Sequence, residues 1–249
     1  MTTNGSVGNA ANAGNAGKAA SAGKWDIGAF AFVAGYTDVI GFIALAGLFT
    51  AHVTGNLIMI GVESVGSTEG LFLKVLALPV FVGAVALARL TEKRLIQRGR
   101  DAVVPLIAAE TLLLAAFAGV GLRMQALGAG PDSSPAMLAG FLAVAAMAIQ
   151  NALSRTSLAD LGPTTIMTGN STQVIIDLVD LPSAPPEARG PIRARLGKMV
   201  PSVLSFAVGA ILGALAYTRF GYAAVALPIV VLFVTCVRRG RSHTTVPAR

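Results

Sequence analysis

The sequence predicts an all-α polytopic membrane protein. About six transmembrane helices and two short re-entrant half-helices are expected, as two inverted repeats of three spans each. Three observations lead there. The 249 residues are 54% hydrophobic and only 12% charged, against about 25% charged in a soluble globular domain. A short phrase occurs twice among apolar runs, as T-A-H-V-T-G-N-L-I-M-I-G-V-E over 50–63 and as T-T-I-M-T-G-N-S-T-Q-V-I-I-D over 164–177. Most of the 19 Lys and Arg gather in the two tails and in the stretches 89–100 and 182–198.

Taken in order, residues 1–24 are rich in Ala, Gly, Asn and Ser. They lack the apolar core of a cleaved signal peptide, so a disordered tail is expected. The apolar run 27–49 is longer than the roughly 20 residues that cross a bilayer, and it carries one charge, Asp38. The first T-G-N segment and the polar stretch 64–70 follow. Further spans are expected over about 71–90 and 102–122, the second holding Glu110. A turn-rich loop at 129–135 opens the second half. That half repeats the order: a span over about 136–153 ending in Gln150 and Asn151, the second T-G-N segment over 164–181, a Pro- and Arg-rich connection over 181–198, and spans over about 199–218 and 220–237. Val82-Gly83-Ala84 reappears as Val208-Gly209-Ala210, which carries the repeat beyond the T-G-N phrase. The domain organisation is a tail over 1–24, membrane repeats over 25–128 and 129–238, and a basic tail over 239–249. The single cysteine, Cys236, excludes an intrachain disulfide and suits packing as a small hydrophobe.

Basic residues in short loops mark the cytoplasmic side. With both tails, 89–100 and 182–198 inside, the chain crosses three times in each half. The first T-G-N segment then starts and ends outside, and the second starts and ends inside. From Thr54 to Val62 a helix spans about 14 Å, half of a bilayer. Two halves of odd span number have opposite orientation, the inverted arrangement of many channels and secondary transporters. The alternative is seven or eight full spans. A net charge of +7 is explained by topology, without a nucleic-acid partner.

The run G-Y-T-D-V-I-G-F-I-A-L-A-G-L-F-T-A-H-V-T-G-N (35–56) resembles the signature of the bacterial YoaK-like membrane family, a domain-of-unknown-function family. I-Q-N-A-L (149–153) followed by M-T-G-N (167–170) resembles its second signature, and Ser154-Arg155-Thr156-Ser157 departs from it. The resemblance covers about 25–238. It implies an integral bacterial membrane protein of transporter-like character and assigns no site residues.

The candidate site therefore comes from the residues alone. Asn56 and Asn170, with Thr54, Gly55, Thr168 and Gly169, stand where two half-helices begin. They read equally as caps for orphan N–H groups and as a place where two helix N-termini attract an anion or polar solute. Asp38 and Asn151 are loosely equivalent positions in the two halves. A charge in mid-membrane carries a proton, pairs with a cation, or bonds to nearby backbone. Glu110 and His52 are secondary candidates. There is no phosphate-cradling glycine loop, no metal-ligand spacing and no nucleophile–histidine–acid set, so no enzymatic activity, metal or cofactor is expected. The expected partners are the lipid bilayer and a small polar or anionic solute, in the bacterial cytoplasmic membrane with both termini inside. Gly209-x-x-x-Gly213 is a small-residue face that serves either packing within the chain or a homo-oligomer. Two functions follow: a small-solute channel or secondary transporter, or a membrane scaffold acting through helix contacts.

Overall fold

The computed structural model describes residues 5–66 and 69–243, with side chains over 23–66 and 69–241. Residues 1–4, 67–68 and 244–249, which belong to the expected N-terminal tail, the polar stretch 64–70 and the basic C-terminal tail, lie outside the described residues. Among the described residues every regular element is helical: α1 (Gly5–Ala44), α2 (Val53–Glu63), α3 (Leu71–Gln97), α4 (Val103–Ala126), α5 (Ser134–Ser154), α6 (Met167–Asp180), α7 (Pro186–Phe220) and α8 (Ala226–His243). Short 3-10 segments sit at Ala159–Leu161 and Gly221–Val225.

Among the described residues five stretches are long and apolar enough to cross a membrane: Gly23–Ala44, Leu71–Gln97, Val103–Ala126, Ser134–Ser154 and Pro186–Arg241. The last holds 56 residues, and a left-handed Gly221 (φ 56°) breaks it into α7 and α8. The short helices differ in kind. At 11 and 14 residues, α2 and α6 are about 16 and 21 Å long, well under a bilayer's hydrocarbon thickness of about 30 Å.

Two helices begin within stretches that the sequence reading gives as a tail and a connection. The stretch 1–24 is expected as a tail, and the backbone of α1 is helical from Gly5. Likewise, the Pro- and Arg-rich connection folds mostly as the first turns of α7. Pro186 occupies the first helical position, where no N–H is needed, and Arg189 donates to the Ala184 carbonyl at 2.8 Å.

The packing is organised around α1 and α5. In each, 67% of the candidate span is buried, against 22–33% for the others, so these two form the interior and the rest present apolar flanks outward. α7 runs parallel to α1. The two helices meet through glycine: a Cβ on Gly209 would sit 2.3 Å from the Phe32 carbonyl oxygen, and one on Gly35 would sit 2.3 Å from that of Phe206. Gly213 likewise faces the Tyr36 backbone. The small-residue face of α7 is thus used within the chain. α3 lies along α5 with Leu73 on Gly140. α2 packs on α3 and α6 on α7, while α4 contacts both α5 and α8, and α8 contacts α1. When the halves are exchanged, the α4–α8 pair maps onto itself and each of the others maps onto another pair in the same set.

Polar contacts tie the two ends of the bundle. At one end Arg239 pairs with Asp26 at 2.6 Å, Ser157 donates to Glu92, and Lys198 donates to the Asp160 carbonyl at 2.7 Å. At the other, Gly70 N–H donates to Asp132 at 2.8 Å and Tyr222 N–H to Gln125 at 3.4 Å. The C-terminal ends of α2 and α6 belong to opposite ends. Glu63 pairs with Lys74 of α3 at 2.5 Å, and Asp177 pairs with Arg195 of α7 at 2.6 Å.

The repeat-related glycines make opposite contacts, since nothing lies within 4 Å of a Cβ on Gly83. Gly209→Val should therefore destabilise the detergent-solubilised protein by about 1–3 kcal/mol, the usual cost of overpacking, while Gly83→Val changes little. Thermal unfolding of both variants checks this, and equal midpoints would refute the close α1–α7 approach.

Candidate functional site

The two copies of the repeated phrase build the same local structure. Each short helix starts one residue before its T-G-N triplet. The residues ahead of the helices, His52 (φ −99°, ψ 63°) and Ile166 (φ −108°, ψ 75°), share a backbone conformation, and neither caps through its side chain. Asn56 and Asn170 consequently lie inside the first turn and do not cap their own helices. Instead each reaches back over the preceding loop. Asn56 Nδ2 donates to the Phe49 carbonyl and its Oδ1 accepts from Phe49 N–H, both at 2.8 Å. Asn170 Nδ2 donates to the Pro163 carbonyl at 2.7 Å. Pro163 has no N–H, so the second bond of the Asn56 clamp cannot form there. Both side chains are buried, at 0% and 3% exposure. They satisfy the polar backbone of a broken helix where water is scarce, the condition for irregular backbone at membrane depth.

Asp38 completes the first loop. Its Oδ1 accepts from Thr50 N–H and Ala51 N–H, each at 2.7 Å, and Oδ2 lies 2.8 Å from His52 Nδ1. A carboxylate only accepts, so this bond requires the ring proton on Nδ1. The second half replaces the carboxylate with amides. Gln150 Nε2 donates to the Phe30 carbonyl at 2.9 Å and to Thr164 Oγ1 at 3.3 Å. Asn151 Oδ1 accepts from Thr165 Oγ1 at 2.6 Å, and Asn151 Nδ2 donates across to the Ala51 carbonyl at 3.3 Å. Asn151 thereby joins the loop ahead of α2 to the loop ahead of α6.

Those loops border one cavity of about 530 Å³. Val53 and Thr54 at the start of α2 line it together with Met167 and Thr168 at the start of α6. Asn151, Thr165 and His52 supply further polar groups, and the N-terminal ends of two helices add unpaired N–H groups and positive dipole ends. His52 also lines a second cavity of about 380 Å³ in the groove between α1 and α7, where Asp38 faces Phe42, Phe49 and Phe206. The His52 ring meets Phe206 edge-on, with centroids 5.2 Å apart.

The candidate residues therefore divide. Thr54, Thr168, Asn151 and His52 share the central cavity, and Asp38 stands behind His52. Gly55 packs under Phe49, whose ring would lie 2.7 Å from a Cβ added at Gly55, whereas the nearest atom to a Cβ added at Gly169 would be 3.6 Å away. Glu110 stays apart on α4, fully buried with no partner for either carboxylate oxygen. The sequence reading passed over Lys74, which has no exposed surface and binds both Glu63 and the Ala46 carbonyl. A signal was present: the acidic residue closing each phrase, Glu63 or Asp177, is followed by a basic residue on the next helix.

This architecture defines a helical, multi-pass membrane-type protein whose two broken-helix loops border one cavity. A family model described as "Protein of unknown function (DUF1275)" matches residues 27–238. The chain belongs to this family, which includes the YoaK-like proteins. No curated protein and no solved structure matches it.

The unequal clamps give a test. Asn56→Ala leaves both the N–H and the carbonyl of Phe49 without their partner, and Asn170→Ala leaves only the Pro163 carbonyl. At about 1–3 kcal/mol for each buried group left unsatisfied, Asn56→Ala should be the more destabilising in thermal unfolding. The reverse order would refute the clamp description.

Proposed function

We propose that the protein is a small-solute channel or secondary transporter of the bacterial cytoplasmic membrane, with its site in the cavity between α2 and α6. One observation carries this reading: the starts of both short helices, with Asn151, Thr165 and His52, face a single cavity. The proposal takes α7 and α8 as separate spans. It has six spans in two inverted repeats, α2 and α6 re-entering from opposite faces, and both termini in the cytoplasm. The parallel pairing of α1 with α7 and of α3 with α5 supports it, as do the opposite ends at which α2 and α6 finish. Basic residues at one end, Arg89, Arg155 and Lys198 among them, support the orientation. The occupant is a small polar or anionic solute, because N–H donors and hydroxyls dominate the polar lining. No chemical step, metal or cofactor enters the proposal.

A non-transporting scaffold draws on the satisfaction of Asn56 and Asn170 within their own loops. Proteoliposome swelling separates the two readings, with light scattering followed for urea, glycerol, phosphate and succinate. Transport requires at least one solute to enter faster than through empty liposomes, and Thr168→Phe, which fills the cavity, should abolish the gain. No permeation by any small solute favours the scaffold.

Individual residues extend the test. Asp38→Asn keeps the shape and an acceptor for Thr50 and Ala51 but loses the titratable charge. It should fold and lose at least tenfold of any uptake driven by a proton gradient; unchanged gradient-driven uptake would remove Asp38 from the mechanism. Thr54→Val and Thr168→Val remove hydroxyls from one cavity, so their effects on uptake should be non-additive. Strict additivity in a double-mutant cycle would separate the two helix starts. With Cys236 replaced by Ala, a cysteine at exposed Gly130 should label from outside and one at exposed Ser183 only from inside. Labelling of the latter in intact cells would overturn the topology.

A further inference from the structure

A third cavity, of about 350 Å³, adjoins the central one. It shares Phe81 and Asn151 with that cavity and extends to Arg89, Arg155 and Thr156 at the basic end of the bundle. Its walls toward the bundle are apolar, with Phe81 and Val85, and its rim is cationic. The two arginines are held differently. Arg89 donates to Glu92 at 2.6 Å, and Glu92, only 1% exposed, also accepts from Ser157 N–H and Oγ. This network fixes the loop that carries Arg155 against α3. Arg155 itself makes no ion pair or side-chain hydrogen bond among the described residues. Glu92 neutralises Arg89, so the exposed Arg155 leaves the rim one guanidinium to spare. An anion entering the cavity would compensate it, since guanidinium forks match carboxylate and phosphate oxygens.

We propose that the Arg89–Arg155 cavity is an anion site, taking a phosphate or carboxylate group at the cytoplasmic mouth of the route to the T-G-N cavity. The assignment of a route rests on the transport reading above, and it narrows the solute to an anion. The same chemistry is carried by a soluble anion and by an anionic lipid headgroup, whose acyl chain would suit the Phe81 and Val85 wall.

The test uses the full chain in phosphatidylcholine nanodiscs and follows unfolding through Trp25, the one tryptophan. Inorganic phosphate, then succinate, is titrated at constant ionic strength. The expected result is a saturable rise in midpoint whose half-point moves at least tenfold higher in Arg155→Gln and is largely restored in Arg155→Lys. Arg155 is exposed, so its loss should not unfold the chain, whereas Arg89→Gln strands Glu92. In a second arm phosphatidylglycerol replaces phosphatidylcholine. If the headgroup is the source, this lipid raises the wild-type midpoint, Arg155→Gln loses the rise, and soluble phosphate adds nothing. A response in either arm that depends on Arg155 supports the site. Its absence from both arms, or an equal response in Arg155→Gln, overturns it. The wild-type chain keeps the two proposals apart: an intact phosphate response without permeation of any solute counts against transport alone, and permeation without a phosphate response counts against the anion site alone.

Discussion

A helix that stops short inside an apolar bundle leaves backbone groups that lipid cannot satisfy, and several buried polar side chains of this structure meet that need. Asn56 and Asn170 each hold the residue seven positions earlier. Asp38 takes the N–H groups of Thr50 and Ala51, and Gln150 reaches Thr164. Without these clamps the chain ahead of α2 and α6 would have to unravel or extend into helix, and the two helix starts would not stand beside one cavity. The same buried groups that look like a binding set in the sequence are therefore largely scaffolding for it. The polar groups left facing the cavity are the hydroxyls of Thr54 and Thr168, the His52 ring, and the edge of Asn151.

The two halves share a plan but not a chemistry. In the first, a carboxylate, a histidine and a full two-bond asparagine clamp hold the loop. In the second, Pro163 removes a donor, and amides from Gln150 and Asn151 stand in for the acid. Asp38 lines one cavity behind His52, and Arg89 and Arg155 line another. Both sets of residues sit in a frame whose order of helices is common to the two halves. Close contact between α1 and α7 gives that frame its rigidity, because backbone meets backbone at Gly35, Gly209 and Gly213. Association of helices in lipid relies on such packing, since burial of apolar surface gives no net drive there.

Much of this was legible from the chain alone, because it depends on local composition and on the repeat. The apolar runs, the shortness of the T-G-N helices, the order of elements in each half and the family membership all follow from periods and phrases in the sequence. Tertiary structure decided what each polar residue does. Nothing in the spacing tells that Asn56 folds back on Phe49 rather than capping its helix, or that Gly209 is packed against a carbonyl while its repeat partner Gly83 faces open space. Glu110 and Asp38 are alike as lone acids in apolar runs, yet one is sealed on α4 and the other faces a histidine. The cause is that a side chain's role depends on which neighbours the helices bring to it, over sequence separations of up to 210 residues, and periodicity carries no information about them.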